Sequence, residues 1–455
     1  MPRVAGALLF LLACAAATAA RGEVPLELAL AKTYLENPRL LEARARLRAV
    51  REGVSLARAG LRPRIEATTG LGWRAVSDRD VLAGVRQTLS VEQPLYDGGA
   101  TGAAVRAARF RIEEERARLR LTEQQVLLEA VEAYTAVLRD QRLLAIALEN
   151  ERRLQERLAA AKRRYRHGQI SRTEVARAEA RYAEAVATRQ RARGNLERAG
   201  ARYRRVIGDP PGGLRMPELP AGLPTTLDAA LEMIEDHPLL RLSRFAHEAA
   251  RAETGRARAA LLPRISLSGR YTYLSEPDRE TEHEQDLAFG AFLTLPLYAG
   301  GAARAAVRQK RQRERAALHA LDDARRRVRE EIRAAFEALR IARLRRQSLA
   351  RRVAAARLVL EGSLEEARAG TRSLIEVLDA ERERFLAESA AVEAAREEIV
   401  AAYRLLAATG RLTLEDLGID ASSYDEEAYY RELRALEAAG RAPAARHRPC
   451  PLTGC

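Results

Sequence analysis

The chain writes one unit twice, and that duplication constrains its fold more than any other feature. "ARAGLRPRI" at 57–65 returns as "ARAALLPRI" at 257–265, and "QPLYDGG" at 93–99 returns as "LPLYAGG" at 295–301. From the second of these pairs onward the offset is 202 residues and holds without a gap: Val105 matches Val307, Leu119 matches Leu321 and Val126 matches Val328. It still holds at "GQISRTEVARAE" and "GTRSLIEVLDAE", which share G-x-x-S-x-x-E-V-x-x-A-E. The opening segments correspond too, "LALAKTYLENPRL" with "LDAALEMIEDHPLL", each an apolar helix followed by Asn37-Pro38 or His237-Pro238. A period this long, used once more and then stopped, predicts two copies of one architectural unit in series. The expected plan is a first repeat over 21–208, a linker at 209–225, a second repeat over 226–410 and a tail at 411–455.

Each unit reads as helix, two strands, long helix, turn, helix. After Pro63 the apolar residues alternate strictly, with Ile65, Ala67, Thr69, Leu71 and Trp73 on one face and Glu66, Thr68, Gly70, Gly72 and Arg74 on the other. A turn around "SDRD" precedes a second alternating run, and the second copy repeats the pattern. The hairpins are expected at 64–93 and 264–295. Two readings stand for such hairpins: a soluble pair packed on the helices, or strands of a membrane barrel with a wet lumen. Four strands cannot close a barrel, since the smallest need about eight, and an open edge does not survive in lipid. If the strands span a membrane, several chains share one barrel.

The repeated motif is then a joint. Pro94 and Pro296 are expected to end a strand by withholding a ladder hydrogen bond. Gly98, Gly99, Gly300 and Gly301 permit the change of direction into a helix. The alternative of a phosphate cradle fails because no G-x-x-x-x-G-K-[ST] is present. The helices that follow, expected over 98–166 and 300–368, would each be about 100 Å long at ~1.5 Å per residue. Leu127, Val131, Tyr134, Leu138, Ala145 and Leu148 recur at coiled-coil spacing. Flanking helices over about 26–61 and 171–208, with 373–409 in the second copy, are roughly half as long, so two stacked end to end match one long helix.

Composition agrees and narrows the compartment. Charged residues make up 31% and aromatic residues 5%, the balance of a long-helix protein. The net charge of +15 would suit nucleic acid, but the N-terminus argues otherwise. "MPRVAGALLFLLACAAATAARGEVP" has a basic start, a short apolar core and small residues before Arg21, the pattern of a secretory signal peptide over 1–20. Cys14 in "LLAC" is a candidate lipid attachment site. Cys450 and Cys455 stand in a proline-rich tail on which no disulfide framework depends. Six histidines are scattered without metal-binding spacing, so neither a cofactor nor an enzyme is expected.

Taken together, the duplicated Asn/His-Pro, "LRPRI" and "LLPRI", "QPLYDGG" and "LPLYAGG", and the tip sequence "GTRSLIEVLDAE" resemble the TolC family of outer-membrane factors over about 26–417. The resemblance implies an α+β membrane protein: a homotrimer in which three chains give four strands each to one twelve-stranded barrel in outer-membrane lipid. Below it the helices would form a periplasmic tunnel, meeting an adaptor and an inner-membrane pump at the far end. Segments near 209–225 and 411–441 would form a belt. The implied function is a passive exit duct for efflux or type I secretion, with no nucleic-acid partner. The alternative is a pore-less periplasmic adaptor or scaffold.

Residue by residue, the resemblance makes Gly168, Ser171, Gly370 and Ser373 the tip turns that face the adaptor. Glu376 and Asp379 fall where acidic side chains line the periplasmic aperture, with Glu where aspartate is usual. Arg372 falls where a basic residue ties the closed aperture to neighbouring helices, and Glu174 is the acidic counterpart at the first tip. Against these roles stands the reading of Glu376 and Asp379 as an ordinary solvated helix face.

Overall fold

The computed structural model describes residues 24–74, 82–275 and 284–419. The signal peptide with Cys14, the "SDRD" turn, the Cys450 and Cys455 tail and the belt beyond residue 419 lie outside the described residues. What is described repeats itself as the sequence does. The first unit runs α1 (Leu26–Glu36), α2 (Pro38–Arg58), β1 (Arg64–Arg74), β2 (Leu82–Tyr96), α3 (Ala100–Arg166) and α4 (Arg172–Ile207). The second runs α5 (Leu227–Glu232), a 3-10 turn, α6 (Pro238–Ala259), β3 (Arg264–Ser275), β4 (Glu284–Thr294), α7 (Ala302–Arg368) and α8 (Leu374–Ala408). Both long helices have 67 residues, which at ~1.5 Å per residue spans about 100 Å.

The four strands form one antiparallel sheet in the order β1-β2-β3-β4. Its register sets Ile65 against Val91, Leu89 against Tyr271 and Gly269 against Phe289, so most apolar residues of all four strands share one face, with Phe292 and Leu274 on the other. Thr68, Thr88, Thr272 and Asp286 line up across the other. Nothing among the described residues covers the apolar face: Trp73 is 75% exposed and Phe289 80%. A soluble hairpin pair packed on its own helices is thereby excluded as a description of this sheet, because a packed sheet buries that face.

Two expectations need correcting. Strand β2 does not end at Pro94 but runs on to Tyr96, with a register shift between Pro94 and Tyr96 against β3. The proline is accommodated at an irregularity, where a missing N–H costs no ladder bond. The helix expected over 26–61 is broken at Asn37, whose extended backbone (φ −65°, ψ 125°) separates α1 from α2. Proline at the first helical position disfavours helical geometry in the residue before it. The Asn37 side chain accepts a hydrogen bond from the Arg39 N–H at 3.0 Å and caps α2, while its amide donates to the Val206 carbonyl at the end of α4 at 2.8 Å.

The second unit makes the same joint with different chemistry. His237 accepts from the Leu239 N–H through Nδ1 at 3.1 Å, capping α6, and its ring also bonds to the backbone of Ala407 at the end of α8. Gly208 and Gly410, both at positive φ, follow the two returning helices. Short helices are thus stacked in pairs, α2 over α4 and α6 over α8, alongside the unbroken α3 and α7.

The main core sits at this waist. Leu26, Leu30, Leu127, Val131, Tyr134, Val137, Tyr203, Tyr403 and Leu412 are buried together, so α1, the middle of α3 and the ends of α4 and α8 share one core. The Tyr134 hydroxyl lies 2.7 Å from the carbonyls of Val24 and Arg215 and accepts from the Arg215 N–H at 3.0 Å. It pins the linker after α4 to the centre of α3.

His237 is 3% exposed, and burial lowers its pKa from 6.5 to about 4. The unfolded chain therefore binds a proton that the folded joint refuses. Its stabilising contribution is present above pH 6.5 and lost as pH falls from there to 4, up to about 3 kcal/mol per chain. His237→Asn, which copies Asn37, keeps a cap without titrating. Thermal-unfolding curves should show the wild type losing more stability than this variant between pH 7 and 4.5; parallel losses would contradict the assignment.

Candidate functional site

Two sets of residues carry functional expectations, the tips at one end of the long helices and the joints at the other. At each tip the long helix ends on a glycine at positive φ, Gly168 (70°) or Gly370 (81°). Backbone bonds from Gln169 to Arg164 and from Thr371 to Glu366 close the ends in the same way. Three residues later Ser171 and Ser373 open the returning helices. Each serine hydroxyl accepts from the N–H of Glu174 or Glu376, and that glutamate accepts from the serine N–H at 2.9 Å. The shared S-x-x-E is therefore a pair of capping boxes, a role that the spacing alone could have revealed.

This places Glu174 and Glu376 against their own helix ends. Hydrogen bonds from the Ser373 N–H and hydroxyl, together with Arg372, hold the Glu376 carboxyl below the usual carboxylate range. Arg372 donates to Glu366 and to Ser363 at 2.8 Å, both on α7, and stands 3.9 Å from Glu376. Asp379 faces the other hairpin, pairing with Arg181 of α4 at 3.0 Å. Arg181 was not among the residues singled out by sequence, and it links the two tips of one chain. Of the expected aperture residues, Arg372 and Glu376 come together at the second tip, Asp379 sits one turn along, and Glu174 stays at the first.

At the opposite end the joints differ in a way the sequence hides. Gly98, Gly99, Gly300 and Gly301 all have positive φ, between 58° and 84°. In the first joint Asp97 accepts from the N–H groups of Gly99 and Thr101 at 3.0 and 2.6 Å, and a Cβ on Gly98 would fall 2.7 Å from the Ala259 carbonyl oxygen at the end of α6. In the second joint Ala299 replaces Asp97, Gly300 and Gly301 face open space, and Tyr298 is 89% exposed. The first joint is seated on the second repeat; the second meets nothing among the described residues at Gly300 and Gly301. Pro296 follows the end of β4 at Thr294, as expected, whereas Pro94 lies within β2. Among the described residues no cluster could hold a metal ion, and no helix is long and apolar enough to cross a membrane.

Comparison with known proteins accounts for this arrangement. The family model for outer membrane efflux proteins matches residues 29–209 and again 231–411, one match per repeat. Outer membrane efflux protein BepC of Brucella suis is 30% identical over 408 residues, 89% of this chain and 90% of that protein. Alkaline protease secretion protein AprF of Pseudomonas aeruginosa is 28% identical, over 92% of this chain and 89% of its own length. The crystal structure of the Campylobacter jejuni CmeC outer membrane channel superposes with a TM-score of 0.76 over 92% of this chain and 90% of that one, at 16% identity, which speaks for the fold. Nothing in these comparisons favours a pore-less adaptor, and the matched family is one of channels rather than enzymes. With both repeats matched, an uncovered apolar sheet face and paired 67-residue helices, the chain belongs to the outer membrane efflux protein family and is an outer-membrane channel with a periplasmic helical tunnel.

Proposed function

We propose that three copies of this chain close one twelve-stranded barrel and serve as the exit duct of a tripartite efflux pump or a type I secretion system, meeting an adaptor and an inner-membrane pump at the tips. The observation that carries this reading is the four-stranded sheet with an uncovered apolar face and an outer edge on both β1 and β4. In lipid those edges need partners, and another copy of the sheet supplies them. The repeat says how copies meet. Within one chain α3 packs on α6 and the first joint sits on the end of α6. By the repeat offset the neighbour's α2 end, around Ala59 and Arg62, is what the second joint and α7 await. Leu358 and Val359 on α7 are likewise exposed in the single chain.

Transport needs no chemistry from this chain. It supplies a passage, and the energy comes from the inner-membrane partner. The relatives point in both directions open to such a duct, one being named for efflux and another for alkaline protease secretion. At the aperture, Asp379 held by Arg181 keeps the two hairpins of one chain together, and Glu376 adds a carboxylate on the same helix turn. Three copies bring six such carboxylates to one end of the tunnel, each beside Arg181 or Arg372, and where these carboxylates face one another each raises the cost of ionising its neighbours and the ring draws cations.

Planar-bilayer recordings test the duct and its gate together. The wild type should form cation-selective channels blocked by multivalent cations. Glu376→Gln with Asp379→Asn should abolish that selectivity and block, and Arg181→Ala should raise conductance without reversing selectivity. A wild type that forms no channel contradicts the duct, and unchanged selectivity in the double variant returns both residues to a solvated helix face. Assembly is tested at the joints. Both glycines have positive φ, so valine strains the backbone at either; at Gly98 it also meets the α6 end, while at Gly300 it meets only open space among the described residues, where a docked neighbour would add a clash. Equal loss of the heat-modifiable oligomer on gels is expected from Gly98→Val and Gly300→Val; normal oligomer from Gly300→Val would contradict the docking of a neighbour there.

A further inference from the structure

Where α3, α7 and α8 meet, about 15 Å along α8 from the tip at ~1.5 Å per residue, a groove of about 380 Å³ is lined by Arg142, Glu149, Arg153, Arg357, Arg384 and Glu388. Four guanidinium groups face two carboxylates there, leaving two positive charges in excess. The carboxylates are already engaged. Glu149 binds Arg153 at 2.7 Å and Arg152 at 2.9 Å, and Glu388 binds Arg357 at 3.0 Å. The Glu381 carboxylate, one turn before Arg384, binds Arg157 through Oε1 at 3.0 Å, while its buried Oε2 has no hydrogen-bond partner and does not come within 4.0 Å of Arg384.

Arg384 is left short. Its side chain is 15% exposed, its nearest acidic oxygen is that of Glu388 at 4.0 Å, and its buried Nε has no hydrogen-bond partner. Burial lowers the pKa of its guanidinium, and Arg153 and Arg357 push the same way against Glu388 and Glu381. A buried guanidinium donor without an acceptor costs stability, which a bound acceptor would restore. Arg142, exposed at the rim, makes no ion pair among the described residues.

The repeat shows that helix pairing at this height does not require such a cluster. At the 202-residue offset, Arg384 corresponds to Tyr182, Glu388 to Val186, Arg357 to Gln155, Arg153 to Ala355 and Arg142 to Leu344. The same packing position in the other copy is built mostly from apolar and neutral side chains. The charged version is a departure from the shared plan.

We infer that this groove is a binding site for a small tetrahedral oxyanion, of the class of sulfate and inorganic phosphate, held by Arg384 from within and by Arg142 at the mouth. Guanidinium groups present planar pairs of N–H donors that match such oxygens, and charge-assisted bonds of this kind are the strong ones. Arg153 and Arg357 add field while keeping their own carboxylates. With three copies in the assembly, the tunnel wall carries three such sites.

Isothermal titration of the purified full-length protein in a non-ionic detergent tests this, with sodium sulfate as the probe against sodium chloride at matched ionic strength. Sulfate should give saturable heat with one site per chain. Arg384→Met and Arg142→Met should each weaken it by about tenfold, the loss of one charge-assisted contact. Arg351→Met, at the position corresponding to Glu149, should leave it unchanged. Arg142 has no ion pair among the described residues, so its variant tests the site even if Arg384→Met fails to assemble. Absence of saturable heat from sulfate, or binding that survives Arg142→Met in assembled protein, overturns the assignment.

Discussion

Backbone hydrogen bonding at the rim of a small sheet governs the rest of this molecule. A strand edge exposes a row of N–H and C=O groups that water can satisfy and hydrocarbon cannot, at several kcal/mol for each group left bare. Four strands leave two such edges, and their shared apolar face places them in lipid. Closure must therefore come from other chains, and each unit must leave the barrel once to build the tunnel. The two joints are those exits. In the proposed ring of copies, half of the unit-to-unit contacts would be made within a chain and half between chains, in keeping with a first joint that is seated and a second that is exposed among the described residues.

Duplication also shows which residues the architecture needs and which it tolerates. Both waists place a side-chain acceptor before Pro38 or Pro238 and follow the returning helix with a glycine at positive φ. The acceptor differs, Asn37 in one copy and His237 in the other, and burial holds the His237 pKa low. Both tips kept the same capping box, since a helix restarting after a tight turn has unpaired N–H groups that serine and glutamate satisfy reciprocally. Where the copies part company, as at Arg384 and Tyr182, the architecture no longer explains the residue.

Much of this was legible in the sequence because the signals are local or periodic. Strict alternation from Ile65 to Trp73 predicts a two-faced strand, and the register confirms that its apolar face continues across all four strands. The unbroken runs after Gly99 and Gly301 predict the two long helices. What escaped depends on distant partners. The break at Asn37 was written in the following proline, but its purpose, to reach the Val206 carbonyl, joins residues 169 apart. Pro94 by itself predicts a strand end because a proline withholds a bond, yet a register irregularity absorbs it. The Arg181–Asp379 pair spans 198 residues, and no spacing rule connects its members.

The central claim is that the sheet is completed by two further copies. Multi-angle light scattering of the detergent-solubilised protein, with detergent mass subtracted and strand content followed by circular dichroism, tests it most directly. The account predicts a particle of three chains that loses its strand signal when dissociated. A stable single chain with its strand signal intact would contradict it.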